Sequence, residues 1–163
     1  MTDEGVEHLE GRTRHTQAET ERLLGMMAPL HLAKIEAAKR ASRRTVGGLY
    51  KRIRVEAGEK VQRAEVRFDD VAGCLRVPTG GSTRQTIVIV EGDLVRSRLL
   101  SPREAARLMG LPDDFVLPAN TNEALAITGD GVAAPAVRFL AEHILEPVLQ
   151  ASTQADPARR AIA

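Results

Sequence analysis

Five consecutive residues, Thr86-Ile87-Val88-Ile89-Val90, constrain this chain more than any other stretch. Successive side chains of a strand point to opposite faces, so a run that is apolar on both faces needs cover on both sides. β-Branched residues in series also disfavour a helix. The rest of the chain must supply that cover with few large rings, because aromatic content is 2% while hydrophobic content is 43%. Leu, Val, Ile, Met and Ala therefore build the core. A length of 163 residues suits one domain with tails.

Around this strand the sequence reads as three regions. A helical pattern runs from Thr16 through Leu23, Leu24 and Met27, and Pro29 suits the first turn of a second helix with Leu32, Ile35 and Ala38 on one face. The period then changes. Val46 to Val55 and Val61 to Phe68 predict strands about a Glu56-Ala57-Gly58-Glu59 turn, and Val71 to Val77 predicts a short third strand. Pro78-Thr79-Gly80-Gly81-Ser82 is a loop, and Glu91-Gly92-Asp93 turns Thr86–Val90 into a last strand beginning near Val95. Ser101-Pro102-Arg103-Glu104 is a capping box with proline at N1, opening a helix through Ala105, Leu108 and Met109 that stops at Gly110 before Pro112. A short helix fits Asn122 to Thr128. After Gly129-Asp130-Gly131, a third shows the stripe Val137, Leu140, Ala141, Ile144, Leu145, Val148.

The expected class is thus α+β: a small, twisted, mainly antiparallel sheet flanked by an N-terminal and a C-terminal helical segment. The expected divisions are a disordered N-terminus over 1–15, helices over 16–45, a basic sheet over 46–100, helices over 101–150 and a disordered tail over 151–163.

Charge is distributed unevenly. Residues 1–38 carry net −3, residues 39–103 net +8, and residues 104–163 net −4. A basic middle between acidic ends is the footprint of a nucleic-acid-binding segment, with a solvated basic face as the competing reading. Other chemistries lack their residues. One cysteine, Cys74, excludes an internal disulfide and a multi-cysteine zinc site, and His8, His15, His31 and His143 are scattered, so no metal is expected. There is no P-loop and no dinucleotide-binding glycine fingerprint. No apolar run approaches the roughly 18 residues of a membrane span, and Met1-Thr2-Asp3-Glu4 is acidic where a signal peptide is basic, so a cytoplasmic protein without membrane partners is expected. Cys74 has no sequence-adjacent activator and reads as a small half-buried strand residue; a thiolate activated by Arg76, two residues on and on the same face, is the competing reading. No self-sufficient catalytic site is visible.

The basic sheet carries Lys51, Arg52, Arg54, Lys60, Arg63 and Arg67, followed by a glycine loop with Ser82, Thr83, Arg84 and Gln85. Glycines let backbone N–H groups approach phosphates, and Arg and Gln read guanine and adenine edges bidentately in the major groove. A plain hairpin turn is the competing reading of the loop. With Tyr50 and three phenylalanines as the only rings, base stacking is poorly supplied, so duplex DNA is the preferred partner.

The stretch from Arg98 through Ser101-Pro102-Arg103-Glu104-Ala105-Ala106-Arg107-Leu108-Met109-Gly110-Leu111-Pro112-Asp113 resembles the penultimate motif of DNA (cytosine-5) methyltransferases. Gly129-Asp130-Gly131-Val132 resembles their final motif, usually Gly-Asn-x-Val. Val71-Ala72-Gly73-Cys74-Leu75-Arg76 followed by Gly80-Gly81 is similar to the end of their target-recognition region. Order and spacing agree over roughly residues 46–149.

This resemblance implies that Lys60, Gln62 and Arg63 lie in a first DNA-recognition loop. It places Arg76, Gly80, Gly81, Ser82, Thr83, Arg84 and Gln85 in a second. Arg98, Arg103 and Glu104 would organise the framework, and Asp130 and Gly131 would lie near an S-adenosylmethionine pocket. The family's Pro-Cys nucleophile, Glu-Asn-Val segment and early glycine-rich cofactor loop are not in the sequence. Cys74 falls where the family has threonine, and Asp130 exchanges an amide for an acceptor carrying negative charge. The implied function is the recognition subunit, or C-terminal fragment, of a restriction-modification type methyltransferase. It would bind duplex DNA and dock a separate catalytic chain, which supplies the nucleophile and shares the cofactor. The alternative is a non-catalytic DNA-binding protein derived from the same module, such as a regulator or phage accessory factor.

Overall fold

The computed structural model describes residues 14–41, 43–77 and 84–155. Two helices come first, α1 (Gln17–Gly25) and α2 (Pro29–Arg40). Thr16 caps α1 through a capping box with Glu19, and Pro29 stands in the first turn of α2. Four strands follow: β1 (Thr45–Glu56), β2 (Glu59–Arg67), β3 (Thr86–Glu91) and β4 (Leu94–Leu99). They form one antiparallel sheet in the order β2-β1-β3-β4. The α+β class is as expected.

β3 sits between β1 and β4, and both of its faces are covered as its sequence demands. On one face Val88 and Val90 join Leu49, Ala64, Val66 and Val95 against Leu23 and Met27 and against Ile35 and Ala38 of α2. On the other, Ile87 and Leu75 pack against Leu100, Ala105 and Leu125. Part of each sheet edge is also covered, which limits templates for pairing with another chain there. The Ala64 N–H donates to Met26 O (3.1 Å) and the Val66 N–H to His31 Nδ1 (3.2 Å) along β2. At β4, the His15 N–H donates to Ser97 O (3.0 Å) while His15 Nδ1 lies 2.8 Å from Ser97 Oγ.

Three expectations need correction here. Val71–Val77 is not a strand: the chain turns at Asp70 (φ 57°) and crosses the second sheet face without joining a ladder. Cys74, in that segment, is exposed and not half-buried. The N-terminal disorder expected over 1–15 does not extend to Arg14 and His15, which bridge to β4; residues 1–13 lie outside the described residues.

The C-terminal part comprises α3 (Pro102–Leu108), α4 (Thr121–Asp130), α5 (Ala134–Leu140), a π-helical turn (Ala141–Leu145) and α6 (Glu146–Ala155). Helix thus continues past residue 150, where a disordered tail was expected; residues 156–163 lie outside the description. α3 ends at Gly110 in the left-handed conformation (φ 74°), and Ala134 N donates to Met109 O (2.9 Å) to start α5 there. Residues 121–152 are, contrary to expectation, long and apolar enough to match a membrane span on length and composition alone. The helix is interrupted after Gly131, however, and Ala124, Leu125 and Thr128 are buried in the fold.

Candidate nucleic-acid interface

The β1–β2 hairpin is longer than the sheet it belongs to. β3 pairs with β1 only from Thr45 to Leu49, whereas β2 follows β1 out to Glu56. The distal half is therefore a two-stranded ribbon, closed by Ala57 (φ 50°) and Gly58 (φ 85°), the geometry that matches the twist of a hairpin. Exposed Lys60 and Gln62 stand on this ribbon, opposite Val55 and Ile53.

Its arginines are mostly committed. Arg63 Nε donates to Glu56 Oε1 (2.8 Å) with a second bond between Nη2 and Oε2, which holds the Glu56 carboxyl below its usual range. Arg54 donates from both Nε (2.7 Å) and Nη2 to Glu65 Oε1, and Arg52 lies 3.8 Å from Oε2 of the same carboxylate and over the Tyr50 ring at 4.7 Å. Arg67 is paired with Asp69 (2.7 Å). Such pairs add little stability at a surface, but they reduce what a phosphate gains from these cations.

The second expected recognition element divides. Gly80, Gly81, Ser82 and Thr83 lie outside the described residues. Arg76 is exposed. Arg84 is turned inward instead: Nη2 and Nε donate to Leu100 O (3.1 and 3.3 Å), and burial pushes its pKa down. Gln85 is 7% exposed and packs where Gly48 and Gly73 have no side chains; its Nε2 would be 2.8 Å and 3.3 Å from Cβ atoms added there. Neither Arg84 nor Gln85, expected as readers of base edges, presents its polar end to a DNA surface here. Both tie the 71–77 crossing and the start of β3 to the second core. Base-reading chemistry and the neighbouring glycine loop pointed to them as DNA contacts, whereas Gly48 and Gly73 are the sequence features that make room for Gln85.

Of the three expected framework residues, Arg98 and Glu104 are paired and Arg103 lies apart from them. Arg98 Nη1 and Nη2 donate to the two Glu104 carboxylate oxygens (2.8 and 2.6 Å), and the Ser101 N–H and Oγ–H donate to the same carboxylate (2.9 and 2.8 Å). Burial would raise the Glu104 carboxyl, but these bonds outweigh it and hold it below its ordinary value. Arg103 Nη2 donates to Phe115 O (2.8 Å), fastening the loop after α3. A contact not anticipated joins the segment of the final motif to the end of the 71–77 crossing. α4 lies so close to the 76–77 backbone that a Cβ on Gly129 would sit 2.4 Å from Val77 N.

Asp130 and Gly131, the implied cofactor contacts, sit exposed at the C-terminal end of α4, where the helix dipole is already negative. Two residues on an open helix end do not enclose a nucleoside-sized ligand, and none of the cavities described among the described residues is lined by them. These residues alone do not fit S-adenosylmethionine, and no chemical step is assigned to them.

The β-ribbon, the fastened β4–α3 junction and the Gly129 contact are what the described residues bring together around the expected site. The chain belongs to the family of C-5 cytosine-specific DNA methylases, whose profile matches residues 3–146. Among its relatives, the type II methyltransferase M1.ScrFI of Lactococcus lactis subsp. cremoris is 38% identical over 59 residues, covering 36% of this chain and 15% of that enzyme. M.SsoII of Shigella sonnei is 36% identical over 58 residues, covering 36% of this chain and 15% of that enzyme. M.HpaII of Haemophilus parainfluenzae is 39% identical over 59 residues, 35% of this chain and 16% of that enzyme. The matched segment thus spans about one-sixth of these relatives' length. No solved structure matches the chain.

Proposed function

We propose that this chain is the target-recognition and C-terminal part of a DNA (cytosine-5) methyltransferase, acting on duplex DNA. The catalytic half, with its cysteine nucleophile and most of the S-adenosylmethionine site, is a separate chain or the rest of a longer one. S-adenosylmethionine supplies the methyl group; this chain binds and orients DNA. The cytoplasmic location expected from the sequence goes with this reading.

One observation carries the docking part of this reading. Val137, Phe139, Leu140, Ile144, Leu145 and Val148 are each 49–64% exposed along α5, the π-helical turn and α6. An apolar stripe of that length needs a protein surface over it. A free-standing DNA-binding regulator has no use for such a stripe unless it self-associates, so the surface favours the methyltransferase reading. The DNA part rests on the net charge of residues 39–103 and on the exposed ribbon. Fluorescence anisotropy with a labelled duplex and the matching single strand tests it. Duplex binding that weakens steeply with salt is expected; preference for the single strand would refute it.

A further inference from the structure

The register of the ribbon separates its charges by face. Tyr50, Arg52, Arg54 and Glu56 alternate onto one face with Glu59, Val61, Arg63 and Glu65 of β2. Three arginines meet three carboxylates there, and the contacts with Glu56 and Glu65 occupy them. The opposite face carries Lys51, Ile53 and Val55 with Lys60 and Gln62. It holds no carboxylate, and neither lysine pairs with a carboxylate among the described residues. Ile53 and Val55 are 61% and 70% exposed.

Resting on the recognition reading above, we infer that this second face of the ribbon is the one that enters the major groove. Lys51 and Lys60 grip phosphates and Gln62, Ile53 and Val55 meet base edges, while Arg52, Arg54 and Arg63 point away from DNA. The dimensions agree. Lys60 is opposite Val55, so the two lysines are four residues apart along β1. At about 3.3 Å per residue this is roughly 13 Å, against a major groove about 12 Å wide that admits a two-stranded ribbon. Between the lysines lie an amide suited to adenine N6 and N7 and two branched apolar groups suited to thymine methyls. The base pair read by this face is accordingly A·T.

The test is the salt dependence of binding by the full chain to a labelled duplex of mixed sequence. Lys51→Gln and Lys60→Gln are compared with Arg52→Gln and Arg63→Gln, and circular dichroism checks that each variant is folded. Each lysine change is expected to flatten the slope of log K against log salt by about 0.9, and each arginine change to leave it unaltered. Gln62→Ala is expected to lose preference for A·T at one position in selection from a randomised duplex pool. Arginine changes that flatten the slope as much as the lysine changes, or more, would overturn the assignment of faces. A Gln62→Ala variant with unaltered preference would overturn its base-reading half. Wild-type protein that binds no duplex at any salt would overturn the recognition reading itself.

Discussion

Glu104→Ala removes a carboxylate that takes hydrogen bonds from Arg98 Nη1 and Nη2, the Ser101 N–H and the Ser101 hydroxyl. The Arg98 side chain is 14% exposed and the Glu104 side chain 31%, so the change leaves a guanidinium in a mostly dry site. Breaking a fully buried pair costs about 3–5 kcal/mol, and a hydrogen bond to a charged group contributes about 1.5–3 kcal/mol. Partial exposure of Glu104 lets water screen the pair, which brings the expected loss to about 2–3 kcal/mol, the weakened cap included. Urea denaturation followed by circular dichroism reads it. The pH dependence has a definite sign. Hydrogen bonds from Arg98 and Ser101 outweigh burial and depress the folded carboxyl. The contribution is therefore complete above the unfolded value of about 4.3 and is lost as pH falls through the folded value. Wild type and Glu104→Ala should converge in stability as the solution is acidified below about pH 4. A loss under about 0.5 kcal/mol at pH 7 would place the pair among ordinary surface ion pairs and refute the reasoning. So would a gap that persists into acid.

Gly129→Ala should destabilise by about 1–3 kcal/mol, because its Cβ would meet the backbone of Arg76 and Val77 at 2.4–2.5 Å. Gly25→Ala, with nothing within 4 Å in a helix, should stabilise by up to about 1 kcal/mol; the two variants compared in one denaturation series check the packing account. Burial depresses the His15 imidazole, against the pull of Glu19. Its contribution is complete above the unfolded value of about 6.5 and falls as pH drops through the lower folded value, so His15→Gln should flatten the stability profile below about pH 6.5. Backbone amides of 137–148 should gain hydrogen-exchange protection when a catalytic half is added; equal exchange with and without it would remove the docking face.

Much of the fold was legible because its signals were local. Thr86–Val90 announced a strand covered on both faces, and Ser101-Pro102-Arg103-Glu104 announced the helix after the sheet; both stand where the sequence put them. Val71–Val77 has strand-forming residues, but strand formation needs a free ladder edge. This segment instead crosses a face, held by its fit to Gln85 and Gly129. The candidate site was less legible for the same reason. That Arg63 is neutralised by Glu56 follows from the hairpin register, in which Arg63 faces Arg52 and Glu56 faces Glu59, not from residue type. Arg84 and Gln85 are expected at the DNA from base-edge chemistry and from the resemblance to a second recognition loop, and only the tertiary arrangement shows Arg84 reaching the Leu100 carbonyl. The exposed apolar stripe of α5 and α6 was visible in the sequence as a stripe, while its lack of cover became apparent only with the fold.

The most direct test of the central claim is methyl transfer from labelled S-adenosylmethionine to mixed duplex DNA. It is run with this chain alone, with a catalytic half of the same family alone, and with the two together. Transfer only in the mixture, at a sequence changed by Gln62→Ala and left unchanged by Lys60→Gln, is the result the account predicts. Transfer by this chain alone would contradict it by requiring a nucleophile here. A mixture that stays inactive while this chain still binds duplex DNA would contradict the complementation and favour the non-catalytic DNA-binding protein.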